Sequence, residues 1–359
     1  MFRWELAVTA AFTLIGLLLP RGIMGIFSSD ADTLQYGIRY LYWLLPSYFC
    51  IAYSQACTIV LRSAGKLMVP LLGSILALGV NAGLNWLLIN GNWGAPRMEI
   101  AGAALATTIA WVVQMLFVCG YFFFAEREIG YRFADLKTDC KKMKREYFRI
   151  SLPVLVSDGL LGLGSTAISV VMGQLGPTFA AGNSVTLVVQ QLSTVLHHGT
   201  AGASGIITGH TMGEGDFERA QKEGYIFVGI GVFIGLLAAG GILLLRKPVI
   251  GYYDVSAEAK EIAWDLMNAL LVVVIFQSVN GVLTKGVLRA GGDTRFLMVA
   301  DVLFLWVASI PLGVMAAFLW KLPAVMVFEF LKVDQIIKCV WCVWRLHSGK
   351  WQKTIERNA

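Results

Sequence analysis

Ionisable side chains inside long apolar runs are the residues of this chain whose type and spacing suit chemistry. Asp158 is the clearest, in the string Ile150-Ser151-Leu152-Pro153-Val154-Leu155-Val156-Ser157-Asp158-Gly159-Leu160-Leu161. A charge held in hydrocarbon costs at least a few kcal/mol, which makes such a residue a functional candidate by default. A carboxylate there can exchange a proton, or it can ligate Na+ together with an oxygen donor such as Ser157. The alternative reading is a carboxylate near the interface that bonds a neighbouring helix. Asn81 and Asn85 are four residues apart and share a helix face, where their amides suit either substrate binding or a bond to another helix.

Other polar groups read as structural. Asp301 lies near Arg295, Glu329 within reach of Lys332, and Asp334 four residues before Lys338, each a spacing for a local ion pair. His197 and His198 are adjacent and point to different faces, a poor arrangement for a metal. Cys339 and Cys342 lie in a Trp- and Val-rich helix with no second Cys pair or His between them, so they read as packing residues, with no metal site or cofactor implied.

The elements that must hold these residues follow from composition. The chain is 57% hydrophobic and 14% charged, against about 25% charged for soluble domains. Its apolar residues come in blocks long enough to cross ~30 Å of hydrocarbon at ~1.5 Å per residue. The sequence predicts an all-α integral membrane protein with spans at 3–27, 33–61, 67–90, 99–125, 148–175, 178–211, 225–245, 260–288, 296–320 and 322–345. The first of these has a basic start but no small-x-small cleavage site after it, and it reads as a retained helix. The net charge of +6 reflects basic loops rather than a nucleic-acid surface. Nineteen of the 29 Lys and Arg fall on the side of Met1, six on the other and four within spans, which predicts both termini in the cytoplasm.

The hydrophilic stretch 126–147 divides an N-terminal bundle of four helices (1–125) from a C-terminal bundle of six (148–345), followed by a cytoplasmic tail (346–359). An internal repeat relates the halves. Leu61-Arg62-Ser63-Ala64-Gly65-Lys66 recurs as Leu288-Arg289-Ala290-Gly291-Gly292-Asp293 at an offset of 227, and Phe27-Ser28-Ser29-Asp30 stands near the same offset from Tyr253-Asp254-Val255-Ser256. Both Leu-Arg motifs fall on one side, so the repeat is parallel, with its pseudo-two-fold along the membrane normal. The second copy has about 80 more residues ahead of its motif than the first. The expectation is a six-plus-six architecture from which two N-terminal helices are absent.

These residues resemble the multidrug and toxic compound extrusion (MATE) family. The resemblance lies in the 61–66 motif, Pro70, Asn81 in N-A-G-L-N-W-L-L-I-N-G, and A-G-A-A-L-A-T-T at 101–108. It continues through 199–220, L-R-A-G-G-D-T-R at 288–295 and R-L-H-S-G-K-W at 345–351. It implies two helical bundles around a central cavity and export of organic cations or drugs from the inner membrane, by a monomer, in exchange for Na+ or H+. It also implies a coupling carboxylate near Asp158. The family's Asn-then-Asp pattern reads Asn81 then Asn85 here, and a tenth-helix Asp of one branch is replaced by Ser278, flanked by Gln277 and Asn280 as cavity residues. Relatives in the same superfamily flip lipid-linked precursors or export polysaccharides, and a non-transporting truncated remnant is the third reading. No nucleophile–base set or phosphate loop points to an enzyme.

Overall fold

The computed structural model describes residues 2–25, 31–131 and 141–353. The loop at 27–30, residues 132–140 of the basic stretch 126–147 and the end of the tail therefore lie outside the described residues. All described secondary structure is helical, in two compact units, Met1–Asp139 and Cys140–Ala359.

The N-terminal unit comprises α1 (Phe2–Leu18), α2 (Pro20–Gly25), α3 (Ala31–Ser63), α4 (Met68–Asn90) and α5 (Ile100–Gly120), the last extended by a π-helical turn at Tyr121–Ala125. The sequence reading of one helix over 3–27 is corrected to α1 and α2. Pro20 has no N–H to give the helix, and it starts α2 instead. The centre of the unit is neutral and small: Ala56, Cys57, Ala104 and Ala106 are fully buried, and a Cβ on Gly102 would stand 2.8 Å from the Leu88 carbonyl oxygen. Such residues let backbones approach where lipid supplies no hydrophobic drive between helices.

The C-terminal unit contains α6 (Lys141–Gly173), α7 (Pro177–Glu214), α8 (Phe217–Tyr252), α9 (Ala257–Gly281), α10 (Leu288–Ala290), α11 (Thr294–Val302), α12 (Ile310–Val314) and α13 (Ala324–His347). A π-helical segment at Val282–Val287 joins α9 to α10, and others at Leu303–Ser309 and Met315–Leu319 join α11 through α12, making two long rods. The α8 motif Gly231-x-x-x-Gly235 serves close packing: added Cβ atoms there would meet the Val279 and Ile275 Cα atoms of α9 at 3.2 and 2.7 Å.

Among the described residues seven helices are long and apolar enough to cross a membrane. The three other expected spans differ for visible reasons. The first is broken at Pro20, α7 carries Gln190, Gln191, His197 and His198, and α13 carries Glu329, Lys332, Asp334 and Lys338.

The repeat read from sequence is a repeat of backbone geometry. In the first copy Lys66 N bonds Leu61 O at 2.8 Å and Gly65 N bonds Arg62 O at 3.1 Å. In the second, Asp293 N bonds Leu288 O at 3.2 Å and Gly292 N bonds Arg289 O at 3.1 Å. Gly65 and Gly292 take φ of +76° and +81°. Both are Schellman-type helix ends, and the left-handed residue explains the glycine in each.

Candidate functional site

The C-terminal unit buries a layer of charge, which α6, α9, α13 and the α11–α12 rod assemble. Asp301 comes from α11, Asp334 and Lys338 from one face of α13, Ser157 from α6, Ser309 from the π-helical turn before α12, and Asn280 from the end of α9. Asp301, Asp334 and Lys338 are 4%, 3% and 5% exposed. Close packing brings the rods into reach: Gly164 leaves room for Leu305, Gly313 leaves room for Leu331, and Trp306 donates to the Leu160 carbonyl at 3.1 Å.

Lys338 Nζ donates to Asp301 Oδ1 at 2.8 Å, and Ser157 donates a short hydrogen bond to Asp301 Oδ2. This pair is fully formed, with both carboxylate oxygens and the ammonium engaged. Asp334 is held differently. Gln335 Nε2 donates to its Oδ2 at 2.6 Å, and Ser309 Oγ, which donates to the Leu331 carbonyl at 2.7 Å, lies 3.4 Å from its Oδ1, with no basic nitrogen within 4.0 Å among the described residues. Asn280 Nδ2 bonds the Gln335 carbonyl at 2.6 Å and its Oε1 at 3.2 Å, while Asn280 Oδ1 is buried with no donor. A proton-exchanging or cation-holding group in a low-dielectric site is what such an arrangement offers.

The local pairings read from spacing are corrected here. Asp301 pairs across helices with Lys338 instead of with nearby Arg295. Lys338 therefore turns from Asp334, its partner by spacing, and Glu329 and Lys332 form no ion pair among the described residues. The Asp301 carboxylate is within reach of Lys338 across the α11–α13 interface, whereas Asp334 takes its hydrogen bond from Gln335. The signal was the run of charges in the apolar body of α13, Glu329, Lys332, Asp334 and Lys338, with Asp301 opposite in α11.

The structure separates the residues proposed for coupling. Ser157 enters the charged layer, whereas Asp158, one residue on and about 100° around the helix, faces outward. Asp158 is half-exposed and receives Arg289 Nη2 at 3.1 Å and Nη1 at 3.5 Å. It ties α6 to the second Leu-Arg motif.

Of the five cavity candidates, Asn81 and Asn85 share a face: Asn85 Nδ2 donates to Asn81 Oδ1 at 3.0 Å, and Asn81 Nδ2 donates to Thr107 of α5 at 3.3 Å. Asn85 Oδ1 has no donor. Gln277 accepts from Gln190 of α7 at 3.5 Å. Ser278 is fully buried with its hydroxyl unpartnered, and Asn280 belongs to the charged layer. Gln277, Ser278 and Asn280 are thus on α9, Asn81 and Asn85 on α4 in the other unit.

A second cluster, missed in the sequence, closes the end of the C-terminal unit. Asp293 is fully buried; Arg345 Nε donates to its Oδ2 at 2.6 Å, and Lys353 Nζ stands 2.7 Å from Oδ1. Trp351 is fully buried over Gly291, where a Cβ would lie 2.2 Å from the indole, and its Nε1 donates to Gln221 at 2.8 Å.

The family model described as MatE matches residues 1–87 and 153–315. The chain belongs to the MatE family. Among curated relatives in this family, the multidrug resistance protein NorM of Burkholderia vietnamiensis is 29% identical over 283 residues, 76% of this chain and 60% of the relative. A probable NorM of Burkholderia pseudomallei is 29% identical over 283 residues, 76% of this chain and 59% of its own length. The chain thus spans about 60% of the length of the curated relatives it matches. A MOP-superfamily transporter from Pyrococcus furiosus, described by a binding pocket of reversed polarity, superposes with a TM-score of 0.87 at 18% identity, over 98% of this chain and 78% of that one. The outward-facing form of a multidrug resistance MATE transporter gives 0.84 at 18% identity, over 98% and 78%. The MatE chain is therefore a multi-pass membrane protein of the two-bundle fold, in a family of transporters rather than enzymes.

Proposed function

We propose that this MatE chain acts in secondary active efflux of organic cations or drugs across the bacterial inner membrane, driven by exchange for H+ or Na+. It works as a monomer with both termini in the cytoplasm. The observation that carries the reading is the buried layer Asp301–Lys338–Asp334, charge retained inside apolar rods where neutral residues would be less costly. Coupling runs through the 157–158 turn: Ser157 opens onto that layer, and Asp158 holds Arg289 of the Leu-Arg motif. Asn81, Asn85, Gln277, Ser278 and Asn280 supply neutral hydrogen-bonding groups for substrate. Unpartnered buried acceptors on Asn85 and Asn280, and the free Ser278 hydroxyl, support that assignment.

The test is uptake of a fluorescent organic cation into everted membrane vesicles containing this sequence, expressed alone and behind the first two helices of a NorM relative. The expected result is gradient-dependent uptake by at least one form, reduced severalfold by Asp158→Asn. Failure of both forms to move any cation in either gradient would sink the efflux reading.

A further inference from the structure

We infer that Asp334 is the exchangeable protonation site of the C-terminal unit, and that Asp301–Lys338 beside it is a fixed ion pair. The role of that site in transport rests on the antiport reading, although its proton chemistry stands on geometry alone.

Three buried carboxylates of this unit have different partners. Asp293 is neutralised by Arg345 and Lys353, and Asp301 by Lys338. Asp334 alone of the three has only neutral polar neighbours, the Gln335 amide donating at 2.6 Å and the Ser309 hydroxyl at 3.4 Å. Its charge can therefore change by one proton without breaking an ion pair. Titrating Asp301 would strand the buried Lys338, and titrating Asp293 would strand the mostly buried Arg345 and release the half-exposed Lys353. An uncompensated charge at such depth costs several kcal/mol, so exchange belongs where no counter-ion is lost.

A second observation points to the same place. Asn280, 4% exposed, donates to Gln335, and Gln335 donates to Asp334, so the donor string converges on the carboxylate. At its far end Asn280 Oδ1 is buried and has no donor. The donor string thus ends on an unsatisfied polar atom and not on a counter-ion. The groups around Asp334 are few. Its own helix brings Lys332 and Lys338 as charges, α11 brings Asp301, and Cys342 lies near Lys338. The α6, α9 and pre-α12 segments bring neutral Ser157, Asn280 and Ser309.

The test is infrared difference spectroscopy on the full chain in lipid nanodiscs, stepping pH and reading the carbonyl stretch of a protonated carboxylic acid. The expected result is a band that grows as pH falls, vanishes in Asp334→Asn, shifts in Asp334→Glu and persists in Asp158→Asn. The Asp334→Glu arm decides the matter if the amide variant fails to fold. A titrating band that is unmoved in both Asp334 variants would overturn the inference. So would wild-type protein with no protonated carboxyl at any pH, including the case where Na+ alone perturbs the carboxylate bands. Because the readout is not transport, a band without efflux would count against the efflux reading only, and efflux without the band against Asp334.

Discussion

The two units share a helix-ending motif yet handle polarity in opposite ways. Along and between α4 and α5 the N-terminal unit uses neutral groups: Asn85 to Asn81 within α4, and Asn81 to Thr107 and Gln114 to Ser74 at 3.4 Å across the pair. The C-terminal unit instead buries the charged Asp301, Lys338 and Asp334, and clamps its Leu-Arg turn with a buried Asp293. At the matching position the first copy has Lys66, which reaches Glu128 at 2.9 Å on the outside. One backbone motif thus carries an external ion pair in one unit and an internal one in the other. The Schellman turn is a local event that Gly and the chain end dictate, whereas the side chain just after it is free to face in or out. On this comparison charge-changing chemistry suits the α11–α13 layer of the C-terminal unit, and neutral recognition the α4–α5 pair of the N-terminal one.

The largest expected effect would sharpen that contrast. Lys338→Met leaves Asp301 buried with only Ser157 to hold it, and should lower stability by about 3–5 kcal/mol. The double variant Asp301→Leu with Lys338→Met should recover most of the loss. Thermal unfolding in detergent, followed by tryptophan fluorescence, checks both; equal losses in single and double variants would show that the pair is not the unit of stability.

In the neutral unit the matching change is Asn81→Leu, which removes the bonds from Asn85 and to Thr107. Interhelical hydrogen bonds in membranes average about 0.6 kcal/mol, so the same melting assay should register a loss of about 1 kcal/mol or less. A loss as large as that of Lys338→Met would break the comparison.

The smallest effect concerns Lys66. Its hydrogen bond to Glu128 raises the lysine above its ordinary value of 10.5. A raised folded-state value means that the contribution is fully present below 10.5 and is lost as pH rises through the folded value. The stability difference between wild type and Lys66→Gln, measured against pH, should therefore be small, flat through neutrality and absent in strong alkali. A difference that grows with alkalinity would reverse the assignment.

Much of this was legible in the residues. Apolar runs of about twenty residues have one solution in lipid, because every backbone N–H and C=O must be bonded within the helix. Glycine after Leu-Arg announced the two helix ends, since that depends on backbone and immediate sequence, and Gly231-x-x-x-Gly235 is a close-packing signal whose partner, α9, only the structure names. The sequence even marked Ser157 and Asp158 as a polar pair. It did not mark their divergence, which the helical turn between neighbours imposes.

By itself, then, the sequence determined the helical membrane class, the repeat and the intramembrane polar groups. Those follow from local hydrogen bonding and from the cost of charge in hydrocarbon. Only the tertiary structure decided which charge meets which. Spacing offered Lys338 to Asp334, but the packing of Gly313 on Leu331 and Gly164 on Leu305 sets the rods so that Lys338 reaches Asp301. Asp334 is left among neutral donors, and that difference arises because ion pairing depends on distance through space, which residue spacing fixes only within a single helix.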